Sequence, residues 1–144
     1  MARDEHATVA ALEAARGVFR AEIERNAGRV VDMAGDSVLA LFDTASGAVT
    51  AALGAQQKLA AGALRFRIGV HLGDVIEKSD GTIYGDGVNI AARLQALAAA
   101  GGVTVSDAVR GSVKQRVPAT FDDQGEQQVK NIPDPVRAYR VRLN

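Results

Sequence analysis

"RVVDMAGDSVLALF", residues 29–42, reads as a β-hairpin. Two apolar runs, Val30-Val31 and Val38 to Phe42, flank Met33-Ala34-Gly35-Asp36, and the Gly-Asp pair supplies turn chemistry. Asp36 falls at the tip, directly before apolar strand residues. A carboxylate there can project past a sheet edge and hold a hard cation such as Mg²⁺.

The flanks of the hairpin set the fold class. Upstream, Val9, Leu12, Ala15, Val18, Phe19 and Ile23 recur at helical spacing over residues 3–26, and Asn26-Ala27-Gly28 ends the run. Downstream, residues 43–61 form an amphipathic helix with Asp43 or Thr44 as N-cap. Residues 64–78 alternate Leu64, Phe66, Ile68 and Val70 on one face and break at Gly73, which predicts one long strand with a bulge or bend. Residues 79–87 are a loop, and residues 88–100 a helix stopped by Gly101-Gly102. "VTVS" (103–106) is a short strand, and 107–117 a helix begun by Ser106 or Asp107. Residues 120–132 and 136–143 are the last two strands, separated by Pro133 and Pro135. Helices alternating with a mostly antiparallel sheet argue an α+β, ferredoxin-like fold, with the helices covering one sheet face. No linker interrupts the 144 residues, so one domain is expected over 1–144.

Composition removes several functions. Lys plus Arg and Asp plus Glu number 17 each, so the basic excess of a general nucleic-acid binder is lacking, as is a polybasic membrane patch. Without cysteine there is no disulfide frame or thiolate metal site, and His6 and His71 alone cannot make a histidine-rich one. No apolar run reaches the ~18 residues that span a bilayer. A soluble, cytoplasmic domain is expected.

The chemistry concentrates in "YGDGVNIAAR", residues 84–93. Asn89 and Arg93 share a helix face by i, i+4 spacing, on a helix otherwise made almost entirely of Ala, Leu, Ile and Val. They are either a solvated polar stripe or an amide and a guanidinium that grip phosphate or ribose oxygens. Gly85 and Gly87 let the preceding backbone approach a ligand closely. The other Gly-Asp pairs, at Asp74 and Asp86, read as turn chemistry. Lys130, alone, is surface decoration. His71, in an alternating strand, reads as a packed, hydrogen-bonded side chain before it reads as a base.

Five stretches, "AGDSVLALF", "FRIGVHLGDV", "IYGDGVNIAARL", "GGVTVSDAV" and "GEQQVKNIPDPVRAYRV", occur in the order and spacing of the class III nucleotidyl cyclases. From about residue 7 to the end the chain resembles their bacterial adenylate/guanylate cyclase catalytic domains. The resemblance implies formation of a 3′,5′-cyclic nucleotide and pyrophosphate from ATP or GTP, cyclic AMP ahead of cyclic GMP, for intracellular signalling. It implies two-metal catalysis with Mg²⁺ or Mn²⁺ at the interface of a homodimer. By position, Asp36 matches a metal-binding aspartate and Asn89 the asparagine that positions the ribose. Arg93 matches the arginine that stabilises the transition-state phosphate, and Lys130 a lysine on the terminal phosphates. Thr82 falls at a base-recognising position.

Two departures stand beside these matches. The family has a strand before its first helix that bears a second metal aspartate; here the first element is already a helix, so that strand is expected to be absent. Where the family has a purine-reading lysine, this chain has Asp32, an acceptor in place of a donor. The alternative reading is a cyclase-homology module that has lost turnover and serves nucleotide sensing or dimerisation.

Overall fold

A computed structural model describes residues 2–143, with side-chain surroundings from residue 6. The order is α1 (Ala2–Arg25), β1 (Gly28–Ala34), β2 (Ser37–Phe42), α2 (Ala45–Leu59), β3 (Ile68–Val70), β4 (Ile76–Glu77), β5 (Ile83–Tyr84), α3 (Asp86–Leu97), β6 (Val103–Ser106), α4 (Asp107–Val113), β7 (Ala119–Gln127) and β8 (Val136–Leu143). The fold is α+β, and the caps fall on the residues that can make them. The Thr44 hydroxyl accepts from the Gly47 N–H at 3.0 Å to start α2. Ser106 does the same for α4, accepting from Val109 N–H at 3.4 Å. Ala27, at φ 62°, turns the chain out of α1.

The main sheet runs β3-β6-β8-β7. β6/β8 and β7/β8 are antiparallel, as are the hairpins β1/β2 and β4/β5, so most pairings are antiparallel as expected. β3 and β6, however, are parallel, with Ile68 opposite Val103 and Val70 opposite Val105. A parallel pair needs a crossover of a dozen or more residues, and residues 71–102 provide it.

The expectation that helices cover one sheet face is corrected. Val70, Val103, Val105, Tyr139 and Val141 pack with Val49, Ala52 and Leu53 of α2 and Val109 and Val113 of α4. Ala138, facing the opposite way on β8, packs with Ile90 and Leu94 of α3. α3 therefore lies on the other face. Val105, Val109 and Val113 are fully buried, and each contributes about 1.5–3 kcal/mol relative to exposure.

The single strand expected over 64–78 is also corrected; it is two short strands separated by a loop. The Phe66 carbonyl accepts from the Gln56 side chain at 2.8 Å and from Gly101 N–H at 2.8 Å, so it is satisfied outside any ladder. The Asp74 carbonyl accepts from Gly87 N–H at 3.1 Å, at the start of α3. Part of the segment's backbone hydrogen bonding is thus spent on loops and a helix start. The expected loop over 79–87 holds the two-residue strand β5, and the helix expected over 88–100 runs Asp86–Leu97.

Glu22 of α1 is 4% exposed. Its carboxylate pairs with Lys58 of α2 and with Arg25 at 3.3 Å. It sits over Gly54, where a Cβ would come within 2.8 Å of it. The two helices are joined by this pair. Among the described residues, no helix is long and apolar enough to cross a membrane.

Candidate active site

α3 is the centre of the candidate site. Gly85, at φ 121°, precedes it in a conformation that side chains rarely adopt. The Gly85 carbonyl accepts from the Val88 and Asn89 N–H groups at 3.2 and 3.3 Å, which closes the first turn. Ile90 and Leu94 then face inward while Asn89 and Arg93 are exposed on the other side. The spacing reading of a shared polar face is thus the one the helix adopts.

Two glycines hold α3 in place. At Gly87 a Cβ would lie 2.6 Å from the Asp74 carbonyl oxygen. At Gly69 of β3 a Cβ would lie 2.3 Å from Gln95 N and 2.4 Å from Ala91 O, both α3 backbone. Strand and helix therefore touch backbone to backbone. Neither contact is visible as a pattern in sequence; the only signal is a glycine inside an otherwise apolar strand.

Lys130 lies three residues beyond the end of β7 rather than within a strand. Its neighbours fix it to α3. Val129 is buried with Ile90 and Leu94, and Ile132 packs on the same cluster. Asn131, at φ 67°, turns the chain between them. Lys130 itself is exposed, so its ammonium is carried on a loop fastened to the helix that bears Asn89 and Arg93.

Thr82 is exposed one residue before buried Ile83. Its N–H donates to Asp80 Oδ1 at 2.9 Å, and its carbonyl accepts from Lys78 N–H at 2.9 Å. The Thr82 backbone hydrogen bond holds the Asp80 carboxyl below the usual carboxylate range. Thr82 is therefore on a tight, ordered turn that leads through β5 into α3.

Asp32 and Asp36 are on the other arm. The turn between β1 and β2 has two residues, Gly35 and Asp36, with Ala34 opposite Ser37. Gly35 takes φ 58° at the first turn position, where a type II′ hairpin turn demands glycine. Asp36 is exposed at the tip, as expected. A bulge between Val30 and Asp32 switches the faces of β1. Val30 and Val31 are consecutively half-buried, and Asp32 and Ala34 come outward. Among the described residues, no hydrogen bond or ion pair joins Asp32 or Asp36 to Thr82, Asn89, Arg93 or Lys130. Arg29 of β1 pairs with Glu77 of β4 and so links the two arms.

A divalent cation needs several oxygen donors. Among the described residues, no group of three His, Cys, Asp or Glu side chains could hold a metal ion. Asp36 can supply one carboxylate to such an ion, and the described residues do not complete the coordination of the expected pair. His71 is half-buried, with Nδ1 2.8 Å from Ser106 Oγ, and burial lowers its pKa. It is the packed, hydrogen-bonded histidine of the sequence reading.

Sequence reasoning missed Arg16. It lies on the α1 stripe that carries Leu12, Phe19 and Ile23, and its guanidinium donates to the Gly35 carbonyl at the hairpin turn. The available signal was a cation on an apolar stripe.

Comparison with known proteins gives a consistent result. Residues 3–142 match the family model of the adenylate and guanylate cyclase catalytic domain. The chain is 41% identical over 149 residues to putative adenylate cyclase 3 of Rhizobium meliloti (strain 1021), covering 96% of this chain and 25% of that protein. It thus spans about a quarter of that relative's length. Among solved structures it resembles the adenylate/guanylate cyclase/hydrolase of Silicibacter pomeroyi, with a TM-score of 0.82 and 37% identity over 90% of this chain and 80% of that one. The guanylate cyclase domain of RhGC from Catenaria anguillulae, solved with GTP, shares the fold, with a TM-score of 0.76 and 21% identity over 95% and 84% of the two chains.

Proposed function

The chain belongs to the adenylate and guanylate cyclase catalytic domain family, and from that premise we propose that it converts a nucleoside triphosphate, ATP first, to the 3′,5′-cyclic nucleotide and pyrophosphate. The observation that carries the reading is the shared exposed face of Asn89 and Arg93 on α3, with the Lys130 loop fastened to the same helix.

In this reaction the ribose 3′-oxygen attacks the α-phosphorus. A new P–O bond closes the ring, the bond to the bridging oxygen breaks, and pyrophosphate carries the electron pair away. The 3′-hydroxyl proton passes to solvent. Arg93 is assigned to the negative charge that builds on the pentacovalent phosphate, where a fixed guanidinium acts most strongly. Asn89 holds the ribose so that the 3′-oxygen lies in line. Lys130 binds the terminal phosphates. Asp32 and Thr82 are assigned to the purine edge; Asp32 can only accept hydrogen bonds, and Thr82 can donate or accept. Divalent ions, which Asp36 would help to hold, would lower the pKa of the 3′-hydroxyl.

The assigned side chains are all exposed on a single chain, so one chain alone does not exclude water from the reacting groups. We assign the remaining walls to a second copy. Leu72, Val75, Ile76 and Tyr84 are exposed apolar groups in and beside the β4–β5 ribbon, as a pairing surface requires.

Asp32, an acceptor where the family has a purine-reading donor, favours a second reading, a nucleotide-binding module without turnover. One experiment separates the two: cyclic nucleotide formation from ATP and from GTP with Mn²⁺, alongside nucleotide binding. Residues 1–144 alone are expected to turn over slowly. A version extended upstream by an apolar strand bearing an aspartate is expected to raise the rate. Binding without product in both forms selects the second reading. Neither binding nor product refutes both. Robust product from residues 1–144 alone refutes the single-carboxylate argument.

A further inference from the structure

Among the described residues, β1 and β2, the arm that presents Asp36, pair only with each other. Within these residues, side chains hold the arm where it stands. At its base, Arg29 pairs with Glu77. At its tip, two arginines of α1 reach across. Arg20 donates to Met33 Sδ at 3.6 Å, a weak acceptor. Arg16 donates to the Gly35 carbonyl and, through its other amino group, to Glu13 Oε1 at 2.6 Å.

Arg16 is the stronger of the two holds. Its side chain is only 27% exposed although charged. Its Nε is buried without a partner, so the residue bears a desolvation cost on a stripe where an apolar side chain would bear none. The carbonyl it grips belongs to the peptide bond that joins Gly35 to Asp36. That peptide is planar. Fixing its oxygen fixes the orientation of the Asp36 N–H, and with it one end of the backbone that aims the carboxylate.

We infer that Arg16 is a positioning residue: it pins the Gly35–Asp36 peptide and so sets where the Asp36 carboxylate stands relative to α1. The inference deepens the proposed function in what Asp36 is for; the pinning itself stands on contacts alone.

The 144 residues contain no cysteine, so nitroxide labels can be placed uniquely on them. Ser37→Cys marks the tip and Gln57→Cys marks α2, and both positions are exposed. The label–label distance distribution is measured in the parent, in Arg16→Met and in Arg16→Lys. Methionine keeps the long stem and the helix propensity and removes only the guanidinium, so the fold is retained. The distribution should broaden at least twofold in Arg16→Met and recover in part in Arg16→Lys. A second pair, Gln57→Cys with Asp134→Cys, should not change. Equal widths in parent and Arg16→Met, or broadening of both pairs together, overturn the inference. In the cyclase assay, Arg16→Met should lower kcat several-fold while the nucleotide KM moves less than twofold. A change confined to KM counts against the role. A parent without product even in its upstream-extended form counts against the cyclase reading, and the label measurement then decides the pinning.

Discussion

Replacing Gly69 by alanine tests how α3 is seated. The added Cβ would lie 2.3 Å from Gln95 N, 2.4 Å from Ala91 O and 2.9 Å from Leu94 C. All three are backbone, so no side chain can rotate out of the way. Ordinary contact begins at 3.4 Å, so α3 must retreat from β3 by about 1 Å, which is overpacking of the kind that costs about 1–3 kcal/mol. Backbone on every side places the cost at the upper end. For a chain of 144 residues, 1 kcal/mol shifts Tm by roughly 3 °C, so a fall of about 10 °C is expected. Thermal unfolding followed by circular dichroism reads it. Gly17→Ala is the matched control: its Cβ meets nothing within 4 Å in the exposed middle of α1. It should stabilise by about 0.5–1 kcal/mol through helix propensity alone. A Gly69→Ala variant whose Tm stays within about 1 °C of the parent would refute the backbone-to-backbone seating.

Three further outcomes are expected. Arg93→Ala in an active form should cut kcat by about 10²-fold or more with a much smaller change in nucleotide KM, because it acts on charge that develops in the transition state; equal effects on both would contradict that role. Lys58→Met should destabilise by about 1–3 kcal/mol in denaturant unfolding, since Glu22 stays buried and only Arg25 remains beside it; an unchanged midpoint would mean the pair is not what joins α1 to α2. Burial lowers the His71 pKa from 6.5, so the folded state binds this proton less readily than the unfolded chain. The corresponding stability is complete above pH 6.5 and is lost as the pH falls through the folded value. Tm should therefore drop between pH 7 and pH 5, and His71→Gln should flatten part of that slope. An identical slope in the variant would remove His71 from the account.

The sequence carried the local features well. The Thr44 and Ser106 caps, the hairpin with Asp36 at its tip and the polar face of Asn89 and Arg93 all depend on neighbours a few residues away. Those relations have short periods and specific residue types. What it did not carry is non-local. The β1 bulge that turns Asp32 outward leaves no mark in "RVVDMAGD", because Val30, Val31 and Met33 suit either register. The run 64–78 alternates like a strand, yet its carbonyls find partners in Gln56, Gly101 and Gly87, distant in sequence. Lys130 looked isolated because the valine and isoleucine beside it gain meaning only when α3 lies under them.

The parallel pairing of β3 with β6 has a consequence for how the molecule opens. α3 lies within the crossover between those strands, wedged on β3 at Gly69. It cannot detach without loosening the most buried part of the sheet. Amides around Asn89 and Arg93 should therefore exchange with solvent deuterium only through large-scale opening. The hairpin, tied to the other described residues by side chains, should exchange through small, frequent excursions. The groups assigned to ribose and transition state thus ride on the slowest-opening unit of the protein. The Asp36 carboxylate rides on a faster one, and the Arg16 hold on the Gly35 carbonyl is what limits its excursions.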